Sequence, residues 1–201
     1  MFLVFLFYPT FGLLLKASLF DLLPLATRGV FFTLPVGFII KTGGYFMIIQ
    51  QCLLPDDHQT NTGLFFSNYR HDSITIHWTG ELFHQSPSVV KKYWEREGNS
   101  ASAHFIIKDE ACLQCLPVHR VAYHCGNPTG NATSLGIEVI PQSELGEFSA
   151  RSIETLRNLL FLFHPTPILR HYDWSGKDCP RFYLDEERWK QLLLAITPSS
   201  W

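Results

Sequence analysis

An α/β domain with a central sheet covered on both faces by helices is the fold class this sequence predicts, and three observations carry the prediction. Ser73 to Trp78 alternates polar and apolar residues and runs into Thr79-Gly80, the pattern of a strand entering a loop. Leu135 to Ile140 is a nearly continuous apolar run of strand length. From Ser149 the period changes, and Ile153, Leu156, Leu159, Leu160 and Phe163 fall on one face of a helix. Strands mixed with helices over about 150 residues stack as helices on a sheet.

Taken in chain order, each further element follows from local signals. Pro87 to Glu97 reads as a short helix, with Ser86 at the cap, Pro87 at the first helical position and Gly98 as the stop. Ala103–Lys108 and Ala111–Leu116 read as two strands joined by a turn at Asp109-Glu110. The apolar run from Leu135 is broken only by Gly136 and Glu138, and a carboxylate inside a buried strand is costly unless something pairs with it. Ser149 is a favoured cap for the helix that follows, and His164-Pro165 ends it. Pro167 to Arg170 is then a short strand that delivers His171 into a loop. A last helix begins near Asp185 and buries Trp189, Leu192, Leu193 and Ile196.

A chain of 201 residues suits one globular domain with little left for a second. Its formal net charge of -2 offers no electrostatic footprint for nucleic acid. Five cysteines at irregular spacing argue against a disulfide scaffold. Residues 1–46 are apolar but interrupted by Pro9, Gly12, Lys16, Asp21, Pro24, Arg28 and Pro35. No run there reaches the roughly 18 residues of a spanning helix. No positive charge precedes the first apolar stretch, as an export signal requires. A membrane anchor, a poor export signal and translation from upstream of the true start are the competing readings, and the broken runs favour the last. The folded domain is then residues 47–201, with any membrane contact confined to residues 1–46.

Nine histidines are many for this length, and two of them end strands. Alone, His77 reads as a half-buried histidine satisfied by a backbone carbonyl. His171 and Cys179, eight residues apart, bracket a loop rich in turn formers that can bend both onto one metal. A second histidine from a neighbouring strand completes three protein ligands, the number that holds a catalytic zinc with an open position. Cys112-Leu113-Gln114-Cys115 also has metal or redox spacing, and Cys125 with His119 or His124 is a candidate completion. Residues three apart on a strand point to opposite faces, however, so Cys112 and Cys115 read as ordinary strand residues. A Cys115–Cys125 bridge belongs to an oxidising setting. Asn131-Ala132-Thr133 matches a glycosylation sequon but reads better as a turn.

Several blocks in order are more specific than any of these signals. They are Ile74-Thr75-Ile76-His77-Trp78-Thr79-Gly80, Ser102-Ala103-His104-Phe105-Ile106-Ile107, Val121-Ala122-Tyr123-His124-Cys125-Gly126-Asn127 and Asn131 through Glu138. The last is Arg170-His171-Tyr172-Asp173 with Gly176-Lys177-Asp178-Cys179-Pro180. With these the sequence, from Met47 to about Ile196, resembles the type-2 family of zinc-dependent N-acetylmuramoyl-L-alanine amidases, which includes phage endolysins and the peptidoglycan-recognition proteins. The resemblance implies an α/β fold with a central mixed sheet flanked by helices. It also implies hydrolysis of the bond between muramic acid and L-alanine, with peptidoglycan as partner.

It implies His77, His171 and Cys179 as zinc ligands, Glu138 as the base near the metal, and Lys177 beside the scissile carbonyl. His124 and Asn131 are candidate groove residues, with a loop histidine and a turn asparagine as the plainer readings. One branch of the family carries a catalytic tyrosine where this chain has Ala103, so the proton-transfer role rests on Glu138. A module that binds peptidoglycan without cutting it is the alternative. Such members usually lose a metal ligand, most often the cysteine, and all three are kept here.

Overall fold

The strand Ser73–Trp78 is buried along its whole length, its serine, threonine and histidine included. In this computed structural model it lies between two parallel neighbours, Ser134–Val139 and Ile168–Arg170. A strand paired on both sides by parallel partners is covered on both faces, so its polar residues must find partners inside the protein. The backbone is described for residues 4–8, 13–17, 36–42, 45–55, 71–163 and 167–197, and side chains within these from Ile48 onward.

The strands are β1 (Val4–Tyr8), β2 (Leu13–Ala17), β3 (Val36–Thr42), β4 (Tyr45–Gln51), β5 (Ser73–Trp78) and β6 (Phe105–Lys108), followed by β7 (Ala111–Gln114), β8 (Ser134–Val139) and β9 (Ile168–Arg170). Among the described residues they form one sheet in the order β2-β1-β3-β4-β7-β6-β8-β5-β9. Strands β1 to β4 pair antiparallel, as do β6 and β7. Strand β4 meets β7 in parallel, and β6, β8, β5 and β9 run parallel to one another. The sheet is therefore mixed, as expected. Met47, taken from the sequence as the start of the domain, lies inside β4, and β1 to β3 add strands to the same sheet. No helix among the described residues is long and apolar enough to cross a membrane.

The helices are α1 (Pro87–Trp94), α2 (Pro128–Thr133), α3 (Ala150–Leu160), α4 (His171–Ser175) and α5 (Glu186–Ile196). On one side of the sheet, Ile74, Ile76 and Ile137 pack with Leu156 and Leu159 of α3 and Leu192 of α5. On the other, Val90 and Trp94 of α1 cover Ala103, Ile106 and Leu113. Cys112 belongs to the first core and Cys115 to the second, so the pair does point to opposite faces. All five cysteines are free thiols, and no Cys115–Cys125 bridge forms.

Several boundaries differ from expectation, each for a local reason. Helix α1 ends at Trp94 rather than Glu97, because Arg96 N–H bonds back to the Tyr93 carbonyl and the chain tightens towards Gly98 at φ 80°. Ser86 occupies its cap without capping, its hydroxyl pairing with that of Ser88 instead. Helix α3 does begin after Ser149, whose Oγ accepts the Ser152 N–H. The expected stop at His164-Pro165 lies outside the described residues. His171 does not enter a loop but opens α4. The carboxylate of Asp173 accepts the Arg170 N–H at the helix start, and Gly176 closes the helix at φ 73°.

Candidate active site

The register of the parallel strands brings the site together. His77 on β5 stands beside Glu138 on β8, and Thr75 beside Gly136. Side chains two apart on a strand share a face, so His77, Thr75, Glu138 and Gly136 look the same way. Strand β9 pairs Arg170 with Ile76, which sets the next residue, His171, alongside His77. Helix α4 and the turn after it then carry the chain back, and the Tyr172 N–H donates to the Cys179 carbonyl at 2.9 Å. His77, His171 and Cys179 thereby converge, with one ligand atom of each within 4.8 Å of the others. All three are buried.

Their hydrogen bonds fix which atoms face inward. His124 Nε2 lies 3.1 Å from the Ser134 carbonyl, an acceptor, so this nitrogen carries the proton. Burial lowers the His124 pKa to about 3 and keeps the ring neutral, which leaves its Nδ1 as an acceptor 2.9 Å from His77 Nε2. His77, held neutral by burial and by His124 beside it, donates from Nε2 and keeps a lone pair on Nδ1. His171 bonds the Cys125 main chain, with its Nε2 on the side nearest Gly126, and burial lowers its pKa to about 4. The two Nδ1 atoms are 3.0 Å apart, and Cys179 Sγ is 3.8 Å from the Nδ1 of His77. Two lone pairs and a sulfur facing one another repel unless an electron-pair acceptor lies among them. Tetrahedral Zn–N and Zn–S bonds of about 2.0–2.3 Å set ligand atoms about 3.3–3.6 Å apart, a range that the 3.0 and 3.8 Å separations bracket, so the donor set suits one metal ion after small side-chain shifts. Burial pushes the Cys179 thiol up to about 12, and ionising it at neutral pH takes a cation.

A cleft of about 490 Å³ opens onto this cluster. Trp78, Tyr93, Trp94, Glu138, Lys177 and Arg181 line it, with Cys179 among its wall residues. Glu138 has one oxygen, Oε2, sealed from solvent without a hydrogen-bond partner. Burial raises its pKa to about 8 against the opposing charge of Lys177. Exposed Lys177 also acts electrostatically on His77, His171 and Cys179. Arg181 lies over the Trp78 ring at 4.8 Å and adds a second cation to the cleft.

Of the residues singled out in the sequence, five meet here: His77, His171, Cys179, Glu138 and Lys177. His124 stands behind His77 rather than along the cleft, and Asn131 faces the main chain, accepting the N–H groups of His124 and Cys125 at 3.0 Å. Ala103 is buried in the core under α1. Sequence reading missed Arg170, whose buried guanidinium pairs with Asp173 at 2.9 Å and Glu186 at 2.9 Å and ties α4 to α5. An Arg-x-x-Asp spacing at a helix start was the available signal. It also missed Trp174, which donates to Thr75 at 2.8 Å and fixes α4 on β5.

A family model described as N-acetylmuramoyl-L-alanine amidase matches residues 67–182. The N-acetylmuramoyl-L-alanine amidase CwlA of Bacillus subtilis (strain 168) is 31% identical over 132 residues, covering 61% of this chain and 48% of that protein. XlyB of the same organism, with the same descriptive name, is 34% identical over 134 residues, covering 61% of this chain and 41% of that protein. The chain thus spans about half the length of the curated relatives it matches. The solved catalytic domain of XlyA superposes with a TM-score of 0.63 at 25% identity, over 74% of this chain and 99% of that one.

Proposed function

The chain belongs to the N-acetylmuramoyl-L-alanine amidase family, and from that membership we propose that it hydrolyses the amide bond between N-acetylmuramic acid and the L-alanine of the peptidoglycan stem, with zinc as its metal. The observation that carries the reading is the convergence of His77, His171 and Cys179 at the end of a cleft that also holds Glu138 and Lys177. Residues 47–201 are assigned the catalytic work, since every residue of the cluster and the cleft lies between His77 and Arg181.

His77, His171 and Cys179 would hold the zinc, which when bound would lower the pKa of a water to about 7 and polarise a carbonyl. Glu138 takes a proton from the attacking water and delivers it to the alanine nitrogen as the C–N bond breaks. Its position on β8 beside His77 puts the carboxylate next to the ligand cluster, and the unpartnered Oε2 is free to hold that proton. Lys177, on the same wall, offsets negative charge building on the lactyl carbonyl oxygen. Trp78, Tyr93 and Trp94 offer apolar faces to the sugar and peptide beside it. The products are a free lactyl carboxylate and a stem peptide with a new L-alanine amino terminus.

A chelator should stop hydrolysis of purified peptidoglycan by the protein, and added zinc should restore it. Hydrolysis indifferent to the chelator would remove the metal from the reaction. Wall binding without hydrolysis by the zinc-loaded protein would make it a recognition module.

A further inference from the structure

His124 reaches no cleft wall, yet it is buried against His77 with the two rings perpendicular and their centroids 5.0 Å apart. Its Nε2 faces the Ser134 carbonyl at 3.1 Å and its Nδ1 faces His77 Nε2 at 2.9 Å. We propose that His124 is a positioning residue for the metal: it locks His77 in the tautomer whose Nδ1 faces His171 and Cys179. The role rests on the metal reading above and extends it beyond the three ligands.

A carbonyl can only accept, so Ser134 forces the proton of the neutral His124 ring onto Nε2 and presents Nδ1 as an acceptor. His77 must answer with Nε2–H, and its remaining lone pair then lies on the atom 3.0 Å from His171 Nδ1. The choice of ligating nitrogen is thus made two hydrogen bonds away, at a backbone carbonyl on β8. Hydrogen bonds of this kind on the far nitrogen of a ligand histidine orient the ring and raise its basicity.

The fold keeps this chain in place from two sides. A β-carbon on Gly136 would stand 2.7 Å from His124 Cγ, so the imidazole fits only against a glycine. That glycine cannot retreat easily, because its N–H donates to His104 Nδ1 and its carbonyl accepts the His104 N–H, both at 2.9 Å. Behind the ring, Asn131 Oδ1 accepts the main-chain N–H groups of His124 and Cys125, and the Cys125 main chain in turn bonds His171. One clamped dipeptide therefore backs both histidines of the metal cluster.

The test uses the full chain and two readouts other than turnover. Nitrogen NMR of the metal-free protein should find His77 protonated on Nε2; protonation on Nδ1 would overturn the role without any variant. Zinc affinity, read by competition with a chromophoric chelator, should fall about 10- to 100-fold in His124→Leu. His124→Asn places a side-chain carbonyl oxygen where Nδ1 was, so it should restore most of that affinity. Gly136→Ala should reproduce the loss with His124 intact. Equal losses in the Leu and Asn variants, with the wild type binding zinc, overturn the positioning role alone. A wild-type protein that binds no zinc overturns the metal reading and this role with it.

Discussion

Glu138 presents an oxygen sealed from solvent and unbonded, a costly arrangement that suits an atom whose partner arrives with the reaction. Glu138→Gln should keep zinc while turnover falls by about 10²- to 10⁴-fold; wild-type turnover in a zinc-loaded variant would place the base elsewhere. The carboxyl also makes a stability prediction for the metal-free protein. Its pKa rises from 4.5 to about 8 on folding, so its contribution favours the fold below 4.5 and is lost as pH climbs towards 8. The melting temperature of Glu138→Gln should therefore gain on the wild type between pH 5 and pH 8, and a constant gap would contradict the burial. Cys179→Ala should lose zinc stoichiometry and activity together, and normal zinc content would remove Cys179 from the site. Sequence alone exposed Glu138, because a carboxylate interrupts the apolar run of a buried strand, whereas His77 fits the polar positions of its alternating strand and stood out only beside His171, Cys179 and the family blocks. The place of His124 was not legible, since it depends on the missing β-carbon of Gly136 on β8, 12 residues further along the chain.

At the scale of elements, α4 is the piece that carries His171 into the His77–His171–Cys179 cluster. Its first residue is His171, and its start is held by Asp173, which accepts the Arg170 N–H and pairs with the buried Arg170 guanidinium. Asp173→Ala removes a helix cap and leaves Arg170 with exposed Glu186 as its remaining ion partner. Loss of a helix cap together with a solvent-screened ion pair costs about 1–2 kcal/mol. Denaturant unfolding should show a loss of that order together with weaker zinc binding. Unchanged values for both would mean that α4 is held by Trp174 and its core contacts alone. A helix of five residues is shorter than the windows in which hydrophobic period becomes visible, so the sequence suggested a loop there. Helices α3 and α5 were legible because each is 11 residues long, with a side-chain cap and one apolar face.

The whole molecule keeps a row of neutral histidines behind and within the His77–His171–Cys179 cluster. Burial lowers His104 to about 4, His124 to about 3 and His171 to about 4, and holds His77 well below its ordinary value. Each folded value lies below the unfolded 6.5, so their contribution is present above pH 6.5 and is lost as pH falls towards 4. The protein should lose stability steeply over that interval and release its zinc in the same window. A melting temperature flat from pH 6.5 to 4 would contradict the histidine environments. The α/β class and its mixed sheet could be read from alternating and helical periods between Ser73 and Ile196. The addition of β1 to β3 to the same sheet was not readable, because apolar stretches broken by proline and charge carry no period that assigns them a partner.

The most direct test of the central claim is mass spectrometry of purified peptidoglycan digested by the zinc-loaded full chain. The expected products are stem peptides with new L-alanine amino termini, together with glycan strands whose lactyl groups end as free carboxylates. Cleavage at a glycosidic bond or within the stem, or no cleavage by folded, zinc-loaded protein, would contradict it.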